Sequence, residues 1–215
     1  MVESPVRKES IALSIINSRL ASAKNPCVCF SGGKNSLALL HMVKMQDPCN
    51  LSVIHADAGS EFSEVQSYIQ KMRKLWKFNL IIIKRDDLTE GYINKISCTC
   101  KSRTAEMLVE IVSKNNYDCF FIGETLDSGS FLSNELKNYP EFFSLTVSPL
   151  TSFTTEDIWD YIRNHHIPFC SLYDKGYQEI GCISCGQIAG VEPQNSIEQG
   201  DEKIMKEKLR KLGYL

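Results

Sequence analysis

Cys27-Val28-Cys29-Phe30-Ser31-Gly32-Gly33-Lys34-Asn35-Ser36-Leu37-Ala38-Leu39-Leu40 joins an apolar run, a double glycine and a second apolar run of different period. Residues 27–30 suit a short buried strand, and residues 36–45 carry apolar side chains at the three- and four-residue spacing of an amphipathic helix. The glycines between them let backbone approach an anion closely. The following helix start presents unpaired N–H groups, while Ser31, Ser36 and Lys34 add hydroxyls and a positive charge. Strand, phosphate loop and helix are therefore expected, with a seat for a pyrophosphate. A Walker A loop needs four residues between its first glycine and Gly-Lys; the spacing here is shorter, so a kinase or GTPase loop is not expected.

The alternation continues outward. Residues 51–55, 80–84 and 119–122 read as further strands, and residues 11–20, 64–76 and 102–113 as amphipathic helices. This predicts an α/β fold: a doubly wound, mainly parallel sheet with helices on both faces. From Gly123 to Phe142 the texture turns to Gly, Ser and Asn, and a long loop over the ligand site is expected. Thr154 and Asp157 form a capping-box pattern opening a helix over 158–164, closed by Pro168; a last helix is expected over 201–212, before Gly213. Residues 1–215 thus read as one nucleotide-binding domain, with 148–215 as a carboxyl-terminal extension.

The balance of 26 acidic and 24 basic side chains gives a net charge of −2 and no global positive field, and 43% hydrophobic content excludes a wholly disordered chain. With no apolar run of about 18 residues, a cytoplasmic protein without a membrane span is expected. In a reducing compartment the nine cysteines are more often metal ligands or catalysts than disulfides. Cys98-Thr99-Cys100 and Cys182-Ile183-Ser184-Cys185 are two close pairs whose four thiolates suit zinc or a [4Fe-4S] cluster, and spacing does not choose between them. Cys27, Cys29 and Cys119 sit in apolar strands and read as core.

FSGGKNSLALLHM, residues 30–42, resembles the SGGxDS loop of the PP-loop ATP pyrophosphatases, the adenine nucleotide α-hydrolases, with Asn35 where that family has Asp. His55-Ala56-Asp57-Ala58-Gly59-Ser60-Glu61-Phe62 is similar to the HxDTGxEF segment of the phosphoadenylyl-sulfate reductase branch, with Ala58 in place of threonine. Glu61 reads as a helix N-cap or a solvated loop acid. Ser148-Pro149-Leu150, Glu156-Asp157-Ile158-Trp159, Ile167-Pro168-Phe169 and Ile180-Gly181-Cys182-Ile183-Ser184-Cys185 resemble the same branch's carboxyl-terminal block. The resemblance implies that Ser31, Gly32, Gly33, Lys34, Asn35, Ser36, Asp57 and Gly123 bind an adenine nucleotide, Asp57 through magnesium or a ribose hydroxyl. It implies catalytic roles for Lys34, Asp57 and Arg103, and tips the metal at Cys98, Cys100, Cys182 and Cys185 toward iron and sulfur, with Thr99 standing where the branch has a cysteine.

Two reductase features are missing from this sequence: no cysteine follows Cys185, and Gly123-Glu124-Thr125-Leu126-Asp127-Ser128 lacks the arginine of the branch's GxRxxES segment. The expected function is therefore ATP-dependent sulfur transfer. ATP with Mg2+ would be split to AMP and pyrophosphate, a carbonyl or amide adenylated, and sulfur delivered from a donor through the cysteine-bound cluster. The acceptor, whether tRNA, DNA or a small-metabolite amide, is left open, as is a homodimer. The alternatives are a sulfonucleotide reductase and a zinc-stapled nucleotide-binding protein without turnover.

Overall fold

In the computed structural model the described residues are 5–46, 48, 51–57, 61–84, 100–128, 131–180 and 187–188. The chain runs α1 (Pro5–Ser22), β1 (Pro26–Cys29), α2 (Lys34–Lys44), β2 (Ser52–Asp57), α3 (Ser63–Trp76) and β3 (Asn79–Lys84). It continues through α4 (Cys100–Lys114), β4 (Cys119–Phe121), α5 (Phe131–Leu136), α6 (Pro140–Leu145), β5 (Thr146–Val147), α7 (Thr155–Asn164), β6 (Tyr177–Glu179) and β7 (Gln187–Ile188). β1 to β5 form one sheet in the order β3-β2-β1-β4-β5, every pair parallel. This is the expected doubly wound α/β fold.

The strand residues alternate between two apolar layers, as a pleated sheet covered on both faces requires. Val28, Val53, Cys119 and Phe121 pack in one layer with Ile16 of α1, Leu37 and Leu40 of α2, Val65 and Ile69 of α3 and Ile158 of α7. Cys27, Ile54 and Phe120 pack in the other with Leu108 and Val112 of α4, Leu136 of α5 and Phe142 of α6. Fully burying one such side chain stabilises the fold by about 1.5–3 kcal/mol. That gain holds both layers to strands as short as three residues.

The long loop expected over 123–142 is corrected: α5 and α6 lie within and beyond it. Leu136 and Phe142 are buried in the second layer, Pro140 sits in the first turn of α6, and the Glu124 carboxylate accepts Ser133 N at 2.8 Å and the Ser133 hydroxyl. Six-residue helices are too short to display a 3.6-residue period, so tertiary packing rather than pattern defines them. β5, β6 and β7 were also not expected. The helix at 158–164 is present and starts earlier, at Thr155, with the capping box complete: Thr154 Oγ1 accepts Asp157 N at 3.2 Å and Asp157 Oδ2 accepts Thr154 N at 2.8 Å. The helix expected over 201–212 lies outside the described residues. No helix among the described residues is long and apolar enough to cross a membrane.

Candidate functional site

Strand order reverses between β1 and β4, and ligands of open α/β sheets collect at the carboxyl ends of such strands. The loop after β1 is folded by its own side chains. Ser36 Oγ accepts Ser31 N at 3.2 Å and donates to Gly33 O at 3.0 Å, and the two serine hydroxyls lie 3.0 Å apart. Ser36 is buried by this role, leaving Ser31 as the exposed hydroxyl of the pair. Gly32 has φ +80°, and a Cβ there would also lie 3.0 Å from Val65 Cγ1. Gly33 is the extended residue before the first turn of α2.

Gly123, two residues past the end of β4 across the reversal, touches this same helix start. A Cβ on it would lie 2.9 Å from Ser36 N and 3.0 Å from Asn35 C and O. These are backbone atoms that cannot give way, so glycine is required for the close approach. Asn35 reaches the β4 loop through Nδ2, which donates to Thr125 Oγ1 at 3.3 Å, while its Oδ1 is buried with no hydrogen-bond partner among the described residues.

Lys34 opens α2, and its side chain is 2% exposed. Its ammonium donates to Gln178 O at 2.9 Å and pairs with the Glu179 carboxylate; its backbone N donates to Tyr173 OH at 2.8 Å. Asp57 ends β2, buried, accepting from Gln66 Nε2 at 3.2 Å and facing Lys84 Nζ at 3.7 Å. Arg103 lies in the first turn of α4, partly buried, and Cys100 is that helix's first residue. Cys98, Cys182 and Cys185 lie outside the described residues, although β6 and β7 pair antiparallel on either side of the Cys182–Cys185 stretch in sequence, with Glu179 opposite Gln187.

Glu61 is corrected from a solvated acid. Its side chain is 10% exposed and its Oε2 lies 2.9 Å from His55 Nε2, while His55 Nδ1 lies 2.9 Å from Phe30 O. Burial lowers the His55 pKa, but the hydrogen bond and charge of Glu61 and the Phe30 carbonyl outweigh it and raise the pKa overall. Thr125, Tyr173 and Glu179 also join the site without having been assigned to it from the sequence, because their partners lie far away along the chain. Burial pushes the thiols of Cys27, Cys29 and Cys119 up, Cys29 to about 12 and Cys119 to about 11, so these strand cysteines are poor nucleophiles and poor metal ligands.

The model of the phosphoadenosine phosphosulfate reductase domain matches residues 25–188. The chain belongs to that family. An adenosine 5'-phosphosulfate reductase from Bacillus thuringiensis (strain Al Hakam) is 28% identical over 191 residues, 81% of this chain and 79% of that protein. The phosphoadenylyl-sulfate reductase of Candida auris, solved as a phosphate complex, shares the fold of this reductase-domain chain with a TM-score of 0.64 at 14% identity, over 82% of this chain and 90% of that one. The U34-tRNA thiolase NcsA of Methanococcus maripaludis, solved with its [4Fe-4S] cluster, shares the fold with a TM-score of 0.57 at 16% identity, over 74% and 64% of the two chains. ATP-dependent sulfur transfer is thereby corrected, because the family match and the curated relatives are reductases. The sulfur-transfer expectation rested on the resemblance of loop 31–36 to the ATP pyrophosphatases and on two absences, a cysteine after Cys185 and an arginine in 123–128, which together weigh less than similarity over residues 25–188.

Proposed function

We propose that the chain is a sulfonucleotide reductase that binds an adenylyl sulfate at the β1–β4 reversal and releases sulfite. The observation that carries this is the close approach of Gly123 to the start of α2 in a chain of the reductase-domain family. Together they leave an anion seat formed by backbone N–H groups and the Ser31 hydroxyl, suited to the α-phosphate. Gly32, Gly33, Asn35 and Ser36 shape that seat. Asp57 fixes Gln66 and Lys84 at its β2 edge, and Arg103 is the cation we assign to the sulfonate.

The chemistry is a two-electron reduction. One thiolate of a dithiol reductant attacks the sulfonate sulfur, an S–S bond forms, the S–O bond breaks, and AMP, or its 3'-phosphate from the phosphorylated substrate, leaves with the bonding pair. The reductant's second thiolate then attacks the first thiol's sulfur and expels sulfite, leaving the reductant as its disulfide. ATP and magnesium have no part in this reading; the adenine nucleotide is the substrate.

Cys98, Cys100, Cys182 and Cys185 are the ligands we propose for a [4Fe-4S] cluster, with zinc as the alternative metal. Four soft thiolates in two pairs fit either, whereas the strand cysteines, whose thiols are held protonated, do not. A bound cluster would supply a redox-capable iron centre linking two distant parts of the chain.

The test uses anaerobically purified protein, adenylyl sulfate or its 3'-phosphorylated form, and a dithiol reductant. Sulfite and the matching adenine nucleotide should appear in equal amounts from one of the two substrates. Failure to bind either nucleotide by calorimetry, with no sulfite released, overturns the reading. Iron and sulfide analysis of the same sample decides between cluster and zinc.

A further inference from the structure

The segment after α7 grips the nucleotide loop at several points. Tyr173 OH takes the Lys34 backbone N–H, and the Gln178 carbonyl and the Glu179 carboxylate take the Lys34 ammonium. A Cβ on Gly33 would lie 3.6 Å from Tyr173 OH and 3.9 Å from Ile180 Cγ1, so backbone and segment are in contact as well. The segment is itself held: the Tyr173 ring packs edge-on against Trp159 at 4.9 Å, Tyr177 against Phe62 at 5.2 Å, and Lys175 pairs with Glu64 of α3 at 2.7 Å.

The two ends of the Lys34–Glu179 pair differ sharply in exposure, 2% for the lysine side chain and 51% for the glutamate. A buried ammonium must be paired to stay charged. Two of its three donors are spent on residues 178 and 179. It is therefore directed at β6, on the strength of a carboxylate that solvent can reach.

We propose that Glu179 is a positioning residue for the nucleotide site, and that Lys34 acts through it. The pair ties the loop's helix start to the strand that leads into Cys182, and Lys34 is not itself a phosphate ligand. This rests on the proposed reading of the loop as the sulfonucleotide site. It also makes a distinguishing demand on affinity. Were Lys34 a phosphate ligand held back by Glu179, removing the carboxylate would release the ammonium toward the anion and tighten binding. Under the positioning role the same change loosens the loop and weakens binding.

The experiment is a double-mutant cycle in adenylyl sulfate affinity, read by calorimetry on the full chain, with Lys34→Met, Glu179→Gln and their combination. Each single change should weaken binding on the order of tenfold and the double change no further, because both remove one interaction. The charge-swapped Lys34→Glu, Glu179→Lys pair should recover part of the loss, which a general fold defect would not. Where Lys34→Met does not fold, Glu179→Gln alone decides. Tighter or unchanged binding by Glu179→Gln overturns the proposal, as does an additive double variant. A wild-type chain that binds neither adenylyl sulfate nor AMP overturns the functional reading and this inference together, whereas a binding wild type with the wrong cycle overturns the inference alone.

Discussion

His55 faces two acceptors at once, the Phe30 carbonyl on Nδ1 and the Glu61 carboxylate on Nε2, each at 2.9 Å. Satisfying both requires a proton on each nitrogen, so the imidazolium is the form that fits, with Asp57 adding favourable charge. Its folded-state pKa is raised despite the opposing effect of burial. The linkage then runs one way: the stabilisation is complete below the unfolded value, about 6.5, and is lost as pH rises through the folded one. Urea unfolding from pH 5.5 to 8.5 should show stability falling across that window, and His55→Gln should flatten the slope. An identical slope in the variant would remove His55 from the account. The histidine was visible within the HxDTGxEF-like segment, but its role was not, because Phe30 is 25 residues away. Glu61 was misjudged for the related reason that charge in a loop gives no sign of burial.

The elements differ in how openly the sequence announces them. The box on α7 is local, since Thr154 and Asp157 are three residues apart, and it was legible without any knowledge of the fold. Its worth is correspondingly local, about 1 kcal/mol for loss of the cap. Thr154→Ala should lower unfolding free energy by that amount. Asp157→Ala should cost more, because the carboxylate also receives Lys8 Nζ at 2.6 Å and so joins α7 to α1. Equal losses in the two variants, measured by urea unfolding, would show that the Lys8 contact adds nothing. The sheet strands were legible for a different reason: residues covered on both faces form unbroken apolar runs. α5 and α6 gave no such signal. Their helical state follows from Leu136 and Phe142 finding a core and from Glu124 meeting the first turn of α5, relations that exist only after folding.

At the scale of the molecule, the site is a junction between parts that lie far apart along the chain. Loop 31–36 and Gly123 meet across the sheet reversal, and the 173–180 segment closes on the loop from the side. A ligand seated there would add contacts to all of these elements at once, so binding should appear as global stability. At a hundredfold excess over Kd the gain is about 2.7 kcal/mol, which for a chain of this size raises Tm by about 5–11 °C. Adenylyl sulfate or its 3'-phosphorylated form should give a shift of that order in scanning calorimetry, and ATP a smaller one, because the proposed site is matched to a sulfonate rather than to a triphosphate. Gly123→Ala supplies the control. Its methyl would fall against the backbone of Asn35 and Ser36, at a cost of about 1–3 kcal/mol from overpacking, and would push apart the two loops that form the seat. The variant should therefore melt lower and lose the ligand-induced shift. A larger response to ATP than to either sulfonucleotide, or an undiminished shift in Gly123→Ala, would mean that the ligand sits elsewhere than at the reversal of the sheet.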